Sequence, residues 1–326
     1  MHVLVTGATG FIGSHLVDAL LARGDEVRCL VRPSSSLRWL DPRRVELVTG
    51  DCGDPDSLKP AVRGVDLVFH AAGAVCASGW SDFLHANYLG TGNLLDACRR
   101  VNPGLGRLVF LSSQAASGPS PEGRLVCEDD PPRPISAYGW SKLLAERDVL
   151  AARADLPVAV VRPSPVYGPR DRGFHALFYM IRKGVRPLLG STRRYFQLLH
   201  VHDLVAGCLL AAEHEPTGEE VYFLASKGGC CWEDLEDAVA AACGSKTCTL
   251  RIPERLSTSV ACAAELWAGL CGRVATVNRD KTREMLARWW LCDTSRARER
   301  LGFTAATPLR TGVEDTARWY RTHGWL

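Results

Sequence analysis

The sequence predicts an α/β fold in which a doubly wound parallel sheet lies between two layers of helices. Three observations support this prediction. Short apolar strands alternate with helical periodicity through the first half of the chain, a glycine-rich turn joins the first strand to the first helix, and the alternation becomes irregular after Arg162. Strands separated by helices require right-handed crossovers, which produce parallel pairing. The remainder of the chain is helix-rich and is expected to form a smaller C-terminal lobe.

The alternation can be followed element by element. Strands are predicted at residues 2–6, 26–31, 45–48, 66–71, 107–111 and 158–161. Helices are predicted at residues 11–22, 54–63, 80–100 and 137–154. Asp54 and Pro55 open the second helix as an N-cap followed by a proline at the first helical position. This order corresponds to two βαβαβ halves, the arrangement of the Rossmann fold.

Two later segments are expected to return to the main sheet. Residues 198–200 and 221–224 have the pattern of strands, with a helix at 203–213 between them. A Rossmann domain is therefore predicted from residues 1–165 with about 196–225. The substrate-binding lobe then comprises about 166–195 and 226–326. The cleft between them should lie at the carboxyl ends of the strands, where α/β sheets bind ligands.

Charge and hydropathy argue against two classes of partner. The net charge of +3 and the pI of about 8.2 are too mildly basic for nucleic-acid binding. The first residues lead directly into a strand, without the regions of a signal peptide. No apolar run reaches the roughly 18 residues that a membrane span requires, and the apolar segment 256–271 is interpreted as a packed or dimer-facing helix. A cytoplasmic protein without nucleic-acid partner or membrane span is expected.

Cysteine and histidine are numerous but scattered. The 13 cysteines include no CxxC pair, and nothing matches the spacing of zinc ligands. Without a secretory signal the cysteines are interpreted as reduced. His200 and His202 lie two positions apart, a spacing that suits neither a helical ligand pair nor a zinc cluster. No metal site is therefore predicted.

A glycine-rich turn follows the first predicted strand. Residues 7–13 read GATGFIG, a GxxGxxG pattern between a strand and a helix. Gly7 permits the tight turn, Gly10 lets a pyrophosphate approach the backbone, and Gly13 lets the helix pack closely on the sheet. The free N–H groups of the helix N-terminus attract the phosphates. A dinucleotide is therefore predicted to bind the residues of this turn: Gly7, Thr9, Gly10, Phe11, Ile12 and Gly13.

The end of the second strand bears on the choice between NAD and NADP. An acidic residue there would bind the ribose 2′-hydroxyl of NAD, but the sequence reads LVRPSSSLR. Arg32, with serine hydroxyls and Arg38 nearby, suits a 2′-phosphate, so NADP(H) is favoured over NAD(H). In the alternative, Arg32 stacks on adenine or is a solvated charge. Asp51, followed by Cys52, is placed to accept a hydrogen bond from the adenine amino group, or else it caps a turn.

Tyr138 and Lys142 are candidate catalytic residues at the start of the fourth predicted helix. Side chains four positions apart share one face of a helix. A tyrosine with its usual pKa of about 10 is a poor base, and a nearby ammonium group lowers that pKa. Tyr138 can then exchange a proton with a substrate oxygen. YxxxK is a common spacing, but here it follows a strand ending FLSSQ, at the edge where nicotinamide is expected.

Further motifs are spread along the chain. They read GD at 50–51, HAAG at 70–73, NYLGTGNLL at 87–95, FLSS at 110–113, RPSPVYGPR at 162–170 and HVHDLV at 200–205. With GATGFIG and YGWSK, they resemble the extended short-chain dehydrogenase/reductase family, also called the NAD-dependent epimerase/dehydratase family. The resemblance implies an NAD(P)-dependent oxidoreductase. In that family a Ser or Thr 25 residues before the tyrosine completes a catalytic triad, and Ser113 holds that position.

The resemblance also assigns roles. It implies that Ser113 hydrogen-bonds the reacting oxygen, that Tyr138 is the acid/base, and that Lys142 tunes Tyr138 and holds the nicotinamide ribose. Further cofactor contacts are expected from Ala71, Ala72, Gly73, Asn87, Ser112, Pro163 and Val166. For Asn87, a hydrogen bond to backbone at a helix kink is the favoured interpretation. Ser112 is the alternative to Ser113 in the triad.

Candidate substrate residues follow the same motifs. They are Gln114, Tyr167, Arg170 and Arg193. His200 and Asp203 are interpreted as fixing the lobe junction. Four tryptophans are interpreted as lobe core, with an apolar pocket as the alternative: Trp232, Trp267, Trp289 and Trp290.

The residues after Ser113 bear on the reaction. Dehydratases of the family carry Asp-Glu there, whereas this chain has Gln114-Ala115. A reductase or dehydrogenase of a small-molecule ketone or secondary alcohol is favoured, nearer the dihydroflavonol reductase-like and 3β-hydroxysteroid dehydrogenase-like branches. The alternative is a nucleotide-sugar epimerase with tightly bound NAD, since Arg193 and Arg194 lie near a position where that branch often places an arginine. A non-catalytic NAD(P)-binding module is a minor alternative. Many relatives dimerise through the helices predicted at 80–100 and 137–154, so a homodimer is expected.

Overall fold

The chain is organised around one large parallel sheet. The computed structural model describes residues 1–218, 220–254, 256, 259 and 279–326. The strands are β1 (His2–Thr6), β2 (Glu26–Val31), β3 (Glu46–Thr49), β4 (Leu67–His70), β5 (Arg107–Leu111), β6 (Val158–Pro163), β7 (Val166–Tyr167), β8 (Val185–Leu189), β9 (Tyr195–Phe196), β10 (Leu199–His200), β11 (Val221–Leu224), β12 (Cys230–Cys231), β13 (Cys248–Ile252) and β14 (Trp289–Trp290). Seven of them form the sheet β3-β2-β1-β4-β5-β6-β11, in which every neighbouring pair is parallel. The order of the first six is that of the Rossmann fold, and the predicted fold class is confirmed.

Helices cover both faces of this sheet. They are α1 (Phe11–Arg23), α2 (Pro55–Val62), α3 (Trp80–Phe83), α4 (Gly90–Val101), α5 (Ala137–Ala151), α6 (His175–Arg182), α7 (Val201–Glu213), α8 (Trp232–Cys243), α9 (Arg279–Leu286), α10 (Ser295–Leu301) and α11 (Leu309–Thr322). Helices α1 and α7 contribute Leu16 and Leu204 to the core on one face, and α2, α4 and α5 contribute Leu58, Leu94 and Val149 to the core on the other. Strands β4 and β5 are buried along their whole length, as expected for a parallel sheet covered on both sides.

The helix predicted at 80–100 has an irregular middle. It consists of α3, a π-helical turn at Leu84–Leu89, and α4. Such turns are often found at functional sites, and this one contains the buried side chain of Asn87. The second predicted helix starts as expected, since Asp54 accepts a hydrogen bond from the Asp56 amide at 3.1 Å and Pro55 is the first helical residue.

A third buried cluster forms the C-terminal lobe. Helices α6, α8 and α11 meet there through Phe178, Leu235 and Tyr320. Two small sheets complete the lobe: β9 lies between β12 and β14, and β8 pairs with β13.

The prediction that both later strands return to the main sheet is wrong for one of them. Strand β11 does pair with β6. Strand β10 instead pairs with β7 in a separate two-stranded sheet. Only two positions separate β6 from β7, so β10 pairs with the continuation of β6 beyond the large sheet. The chain then enters α7 directly after His200, which leaves β10 only two residues long.

Two expectations concern membrane spans and cysteines. Among the residues that the structure describes, no helix is long and apolar enough to cross a membrane. All eleven described cysteines are free thiols. The predicted apolar helix at 256–271 and Trp267 fall on the part of the chain outside the described residues.

Candidate active site

The glycine-rich turn is packed tightly between the sheet and α1. Gly7 has φ +70°, and a Cβ there would lie 2.7 Å from the backbone of Ala71 and Ala72. A Cβ on Gly13 would lie 2.1 Å from the Gly7 carbonyl oxygen. Gly10 is the N-cap of α1, and no described side chain caps this helix N-terminus or places an acidic group in its first turn. The free N–H groups therefore fit the diphosphate of a dinucleotide.

The surface beside the turn is accessible to a ligand. The predicted cofactor residues that are half-buried or exposed here are Thr9, Gly10, Phe11, Ile12, Cys52, Ala71, Ala72 and Gly73. Strands β1 and β4 are neighbours, so the turn after β1 and the residues after β4 meet at one edge of the sheet. This is also where the strand order changes direction, the place at which open α/β sheets bind ligands.

Arg32 lies at the end of β2 with its side chain 66% exposed. Its Nε is 3.9 Å from Oδ2 of Asp51. The other oxygen of Asp51 accepts a hydrogen bond from the Gly53 amide at 2.7 Å, so one oxygen of this carboxylate caps a turn and Oδ2 faces Arg32. Arg38 does not join Arg32, because its guanidinium lies over the ring of Trp39, 4.3 Å from the centroid.

Ser113, Tyr138 and Lys142 converge at the carboxyl end of β5. The hydroxyl of Ser113 accepts a hydrogen bond from the Ala115 amide at 3.1 Å, and Ser113 also hydrogen-bonds Tyr138. Lys142 lies one turn further along α5 and is buried, and its Nζ donates to the carbonyl oxygen of Leu111 at 2.8 Å. The structure therefore brings the predicted triad together.

The start of α5 places Tyr138 beside Ser113. Ser136 is the N-cap, and its Oγ accepts a hydrogen bond from the Gly139 amide at 3.0 Å. A Cβ on Gly139 would lie 2.4 Å from the Ala115 carbonyl oxygen. The glycine in YGWSK thus allows α5 to contact the turn that follows Ser113.

Burial governs the acidity of Tyr138. Burial raises the pKa of this phenol, the hydrogen bond with Ser113 opposes the rise, and the negative charge of Glu284 adds to it. The expected net decrease in the pKa of Tyr138 is therefore not found in this structure, because burial raises this pKa. The ammonium group is engaged by the Leu111 carbonyl, and loss of solvation of the phenolate is the larger effect. Tyr138 holds its proton at neutral pH and is poised as an acid.

Lys142 is affected in the opposite direction. Burial lowers the pKa of its ammonium group to about 8, and the nearby carboxylate of Glu146 opposes the decrease. Its Nζ also lies 4.9 Å from the centroid of the Phe110 ring. The carbonyl, the carboxylate and the aromatic face all favour the cation.

Ser112 faces away from this edge, into a buried charged network. Its hydroxyl donates to Oε1 of Glu146. The other oxygen of this carboxylate, Oε2, lies 2.6 Å from Nη2 of Arg162. The predicted cofactor contact through the Ser112 side chain is therefore not observed. Successive residues of a strand point to opposite faces. This alternation explains why Ser113, and not its neighbour, meets Tyr138.

Asn87 is occupied by backbone, as the favoured interpretation held. Its Oδ1 accepts a hydrogen bond from the Ala74 amide at 2.7 Å. Its Nδ2 donates to the Ala74 carbonyl at 3.0 Å and to Oγ of Ser141 at 2.8 Å. Asn87 thus connects the segment after β4 to helix α5.

The comparison with known families agrees with this geometry, in which a glycine-rich turn, an uncapped helix and a Ser-Tyr-Lys cluster lie at one sheet edge. The model of the NAD-dependent epimerase/dehydratase family matches residues 3–225. The chain belongs to this family.

Individual relatives of this family narrow the relationship. A ceramide reductase from Caulobacter vibrioides is 30% identical over 325 residues, which cover 99% of this chain and 96% of the relative. A 3β-hydroxysteroid dehydrogenase/Δ5→4-isomerase from Mycobacterium tuberculosis is 32% identical over 272 residues, 77% of this chain and 72% of the relative. The solved structure of MoeE5 in complex with UDP-glucuronic acid and NAD is 29% identical with a TM-score of 0.79, covering 99% of this chain and 100% of the other. This member of the family is an NAD(P)-dependent enzyme, and the predicted kinship with the 3β-hydroxysteroid dehydrogenase-like branch is confirmed.

Gln114 is the predicted substrate residue that directly follows the triad residue Ser113. It follows Ser113 in a short 3₁₀ turn and is 1% exposed. Neither its amide nitrogen nor its amide oxygen has a hydrogen-bond partner among the described residues. A buried amide without partners costs about 1–3 kcal/mol, so its retention beside the triad requires an explanation.

Tyr167 and Arg170, predicted as substrate residues, contact other parts of the protein in this structure. The Tyr167 ring packs on His200 with centroids 5.3 Å apart, and its hydroxyl donates to the Leu309 carbonyl at 3.5 Å. Arg170 has φ +70° and pairs with Asp18 of α1 at 2.7 Å. Because β7 pairs with β10, the segment that follows is directed to α1 and α11.

The two arginines considered for a substrate diphosphate differ. Arg194 is buried, and its guanidinium donates to the Leu189 carbonyl at 2.6 Å and to Glu254 at 2.5 Å. It therefore stabilises the lobe. Arg193 is 61% exposed, with its Nε 4.0 Å from a carboxylate oxygen of Glu233, and is free to turn toward a ligand.

The lobe junction agrees with the structural interpretation of Asp203. Its two carboxylate oxygens accept hydrogen bonds from the amides of Ala306 at 3.1 Å and Thr307 at 3.0 Å, just before α11. Trp232 and Trp290 pack in the lobe core, as the favoured interpretation held. Trp289 stacks on Tyr195.

Two carboxylates that were not predicted from the sequence contact the start of α5 from the lobe. Asp280 accepts a hydrogen bond from the Ala137 amide at 2.9 Å, and Glu284 accepts one from Oγ of Ser136 at 2.6 Å. Both lie on α9, one turn apart. Acidic groups at a helix N-terminus are favourable. Their spacing is visible in the sequence, but their partners lie more than a hundred positions away.

Proposed function

We propose that this chain is a reductase or dehydrogenase that transfers hydride between NAD(P) and a ketone or secondary alcohol, with Tyr138 as the proton donor or acceptor. The observation that supports the proposal is the convergence of Ser113, Tyr138 and Lys142 at the carboxyl end of β5, on the sheet edge that carries the glycine-rich turn. The nicotinamide, when bound, supplies or accepts the hydride.

The residues of the triad have separate tasks in this proposal. Ser113 donates a hydrogen bond to the substrate oxygen and orients the carbonyl carbon. Tyr138, which holds its proton at neutral pH, protonates the same oxygen as negative charge develops on it. Lys142 carries a positive charge next to this position and stabilises the phenolate that remains. In the oxidative direction Tyr138 takes the proton back.

The remaining predicted cofactor residues are proposed to hold the dinucleotide. Besides the turn, they are Arg32, Asp51, Cys52, Ala71, Ala72, Gly73, Pro163 and Val166, with Lys142 at the ribose. We propose NADP(H) in preference to NAD(H). The residue that follows β2 is the exposed Arg32, and no acidic residue stands at this end of the strand. The side chains of Asn87 and Ser112 are not assigned to the dinucleotide in this proposal. Asn87 is bonded to the backbone of Ala74, and Ser112 is bonded to Glu146.

An apolar small molecule carrying one ketone or hydroxyl is the proposed substrate class. The relatives named above include a ceramide reductase and a 3β-hydroxysteroid dehydrogenase. The unpartnered amide of Gln114 would supply a polar contact beside the reacting oxygen. We propose that the lobe, about 166–195 and 226–326, covers the rest of this molecule.

A nucleotide-sugar epimerase is the second candidate, because MoeE5 was solved with UDP-glucuronic acid and NAD. Such a substrate needs cationic groups for its diphosphate. Arg194 is committed to the lobe, which leaves Arg193 as the exposed arginine of this pair. This observation favours the reductase.

We propose a homodimer that forms through the helices predicted at 80–100 and 137–154. Trp80 on α3, Leu89 before α4 and Trp140 on α5 are all between 43% and 50% exposed. Light scattering after size-exclusion chromatography tests the proposal, since Leu89→Glu with Trp140→Glu should convert a dimer into monomers. A wild-type chain that elutes as a monomer would contradict it.

Replacement of Tyr138 by phenylalanine tests the proposed reaction. Absorbance of the reduced nicotinamide is followed with a panel of ketones, secondary alcohols and nucleotide sugars. Net cofactor turnover supports the reductase, whereas sugar product without net cofactor change supports the epimerase. Tyr138→Phe should lower kcat about 100-fold or more with cofactor affinity retained. Tyr179→Phe, at an exposed tyrosine of α6, is the matched control. Full activity of Tyr138→Phe would disprove the assignment.

A further inference from the structure

Three side chains with metal-binding atoms converge where α7 and α11 meet, outside the site described above. They are His200, His202 and Asp315, and one potential ligand atom from each lies within 4.8 Å of the others. Nε2 of His200 is 3.8 Å from Oδ2 of Asp315. His202 and Asp315 also line an open cavity of about 630 Å³.

His200 shows that this cluster is more than a surface coincidence. Its side chain is 3% exposed, and neither ring nitrogen has a hydrogen-bond partner among the described residues. Burying an imidazole without partners is unfavourable unless something else satisfies a nitrogen.

The backbone brings the two histidines together despite their spacing. His200 is the N-cap of α7 with extended backbone, φ −69° and ψ 142°, and His202 lies in the first turn of the helix. Their ring centroids are 4.9 Å apart. A separation of two positions would keep the two rings apart within one regular helix. Here β10 ends at His200 and α7 begins at the next residue, so the two side chains meet.

The third side chain comes from α11 through a close helix contact. A Cβ on Gly312 would lie 2.3 Å from the Tyr167 hydroxyl and 3.1 Å from Cδ2 of His200, so only glycine allows this approach. Asp315 follows one turn later and faces His200. One of its oxygens lies 3.6 Å from Arg318, and the other is directed at the histidine.

We propose that His200, His202 and Asp315 bind a divalent transition-metal ion of the zinc type. Two imidazoles and one carboxylate are a common set of three protein ligands for zinc, with water in the fourth position. His202 is exposed and Asp315 is half-buried, so both can close on an ion about 2 Å from each ligand atom. The ion would join α7, which packs on the large sheet, to the C-terminal helix α11.

Metal analysis of the tag-free full chain tests the site. The protein is stripped with a chelator, dialysed against micromolar zinc, and assayed for bound zinc by mass spectrometry. The wild-type chain should hold one zinc ion, and His202→Ala and Asp315→Asn should each lose it. Zinc should also raise the melting temperature of the wild-type protein and leave those of the two variants unchanged.

His2→Ala is the matched control, because His2 is another exposed histidine that pairs with a carboxylate, Glu26, far from the cluster. It should bind zinc as the wild-type chain does. His202 is exposed and the side chain of Asp315 is 38% exposed, and far-UV circular dichroism reports whether each variant is folded. If either variant fails to fold, the wild-type protein is loaded with cobalt in place of zinc. Its absorption spectrum must then show tetrahedral coordination with nitrogen ligands. Absence of zinc from the wild-type chain, or equal binding by a folded His202→Ala variant, would overturn the proposal.

Discussion

Arg162 and Glu146 form a buried ion pair with three hydrogen bonds directly beneath the candidate active site. Nη2 of Arg162 donates to Oε2 of Glu146 at 2.6 Å, and Nε donates to both carboxylate oxygens at 3.0 and 3.1 Å. Glu146 also accepts from Ser112, the residue before the catalytic serine, and Arg162 donates to Ser117 at 2.9 Å. The pair therefore connects β6, α5 and the end of β5, the three elements that carry the site.

Glu146→Gln should destabilise the protein strongly, because it leaves the guanidinium of Arg162 buried without a counter-charge. We expect a loss of about 3 kcal/mol or more in the free energy of unfolding, measured by urea denaturation. Asp148→Asn, at a partly exposed carboxylate of the same helix, should change it by less than about 0.5 kcal/mol. Replacing both partners, Glu146→Leu with Arg162→Met, should recover part of the loss. If Glu146→Gln is as stable as the control, the pair does not hold these elements together.

Gln114→Met should make the protein more stable and less active. The replacement keeps the size of the side chain and removes a buried amide without partners, which should raise the free energy of unfolding by about 1 kcal/mol. The substrate contact proposed for this amide would be lost, so KM should rise. Gln197→Met is the control, since Gln197 is also buried but donates to the Ser226 carbonyl at 3.1 Å and accepts from the Cys292 amide at 2.7 Å.

That control should lose stability, because it removes two satisfied hydrogen bonds. Thermal unfolding and steady-state kinetics on the two variants separate the roles. A Gln114→Met variant with lower stability and an unchanged KM would show that the amide is structural and that the substrate does not touch it.

Local chemistry explains why so much of the nucleotide-binding half was predictable. The glycines of the turn, Asp54 with Pro55, and the alternation of apolar strands with helices are each satisfied within a few residues. The strand order then follows from right-handed crossovers. Ser113 could be distinguished from Ser112 by family spacing, and the structure supplies the physical reason in the alternation of strand faces.

The lobe was less predictable because its contacts are long-range. Asp280 caps a helix that begins more than a hundred residues earlier, and Arg170 turns to α1 because of a two-residue strand pairing. The pKa of Tyr138 likewise depends on burial, which no i, i+4 spacing reports. His200 and His202 were dismissed on spacing alone, since the change from strand to helix between them is not visible in their separation.

Arg32→Asp should reverse or abolish the proposed preference for NADP(H). An exposed guanidinium can form charge-assisted hydrogen bonds to a 2′-phosphate, and an aspartate would repel that group while accepting from a 2′-hydroxyl. We expect KM for NADP(H) to rise about 10-fold to 100-fold and KM for NAD(H) to change much less. Arg43→Asp, at another exposed arginine that precedes β3 at the opposite edge of the sheet, is the control. Equal effects of Arg32→Asp on both cofactors would refute the 2′-phosphate assignment.

Lys142→Met should remove a pH-dependent contribution to stability. Burial holds the pKa of Lys142 at about 8 in the folded protein, below its ordinary value of 10.5. Between these pH values the unfolded chain binds more protons than the folded chain, so this group makes stability rise with pH. Below pH 8 both states are protonated, and the full cost of burying the cation, roughly 3 kcal/mol, is present. The methionine variant should therefore gain most over the wild-type protein at neutral pH.

Urea unfolding of the cofactor-free protein at pH 7.5 and 9.5 measures this difference. The free energy of unfolding of the wild-type chain should approach that of Lys142→Met by about 1 kcal/mol per pH unit as the pH rises above 8. Lys227→Met removes an exposed ammonium group and is the control for general effects of alkaline pH. A gap between wild type and Lys142→Met that stays constant from pH 7.5 to 9.5 would mean that the buried ammonium is fully compensated by Leu111, Glu146 and Phe110. In that case Lys142 would enter catalysis as a permanently charged group, and a pH-rate profile would show no ionisation near pH 8.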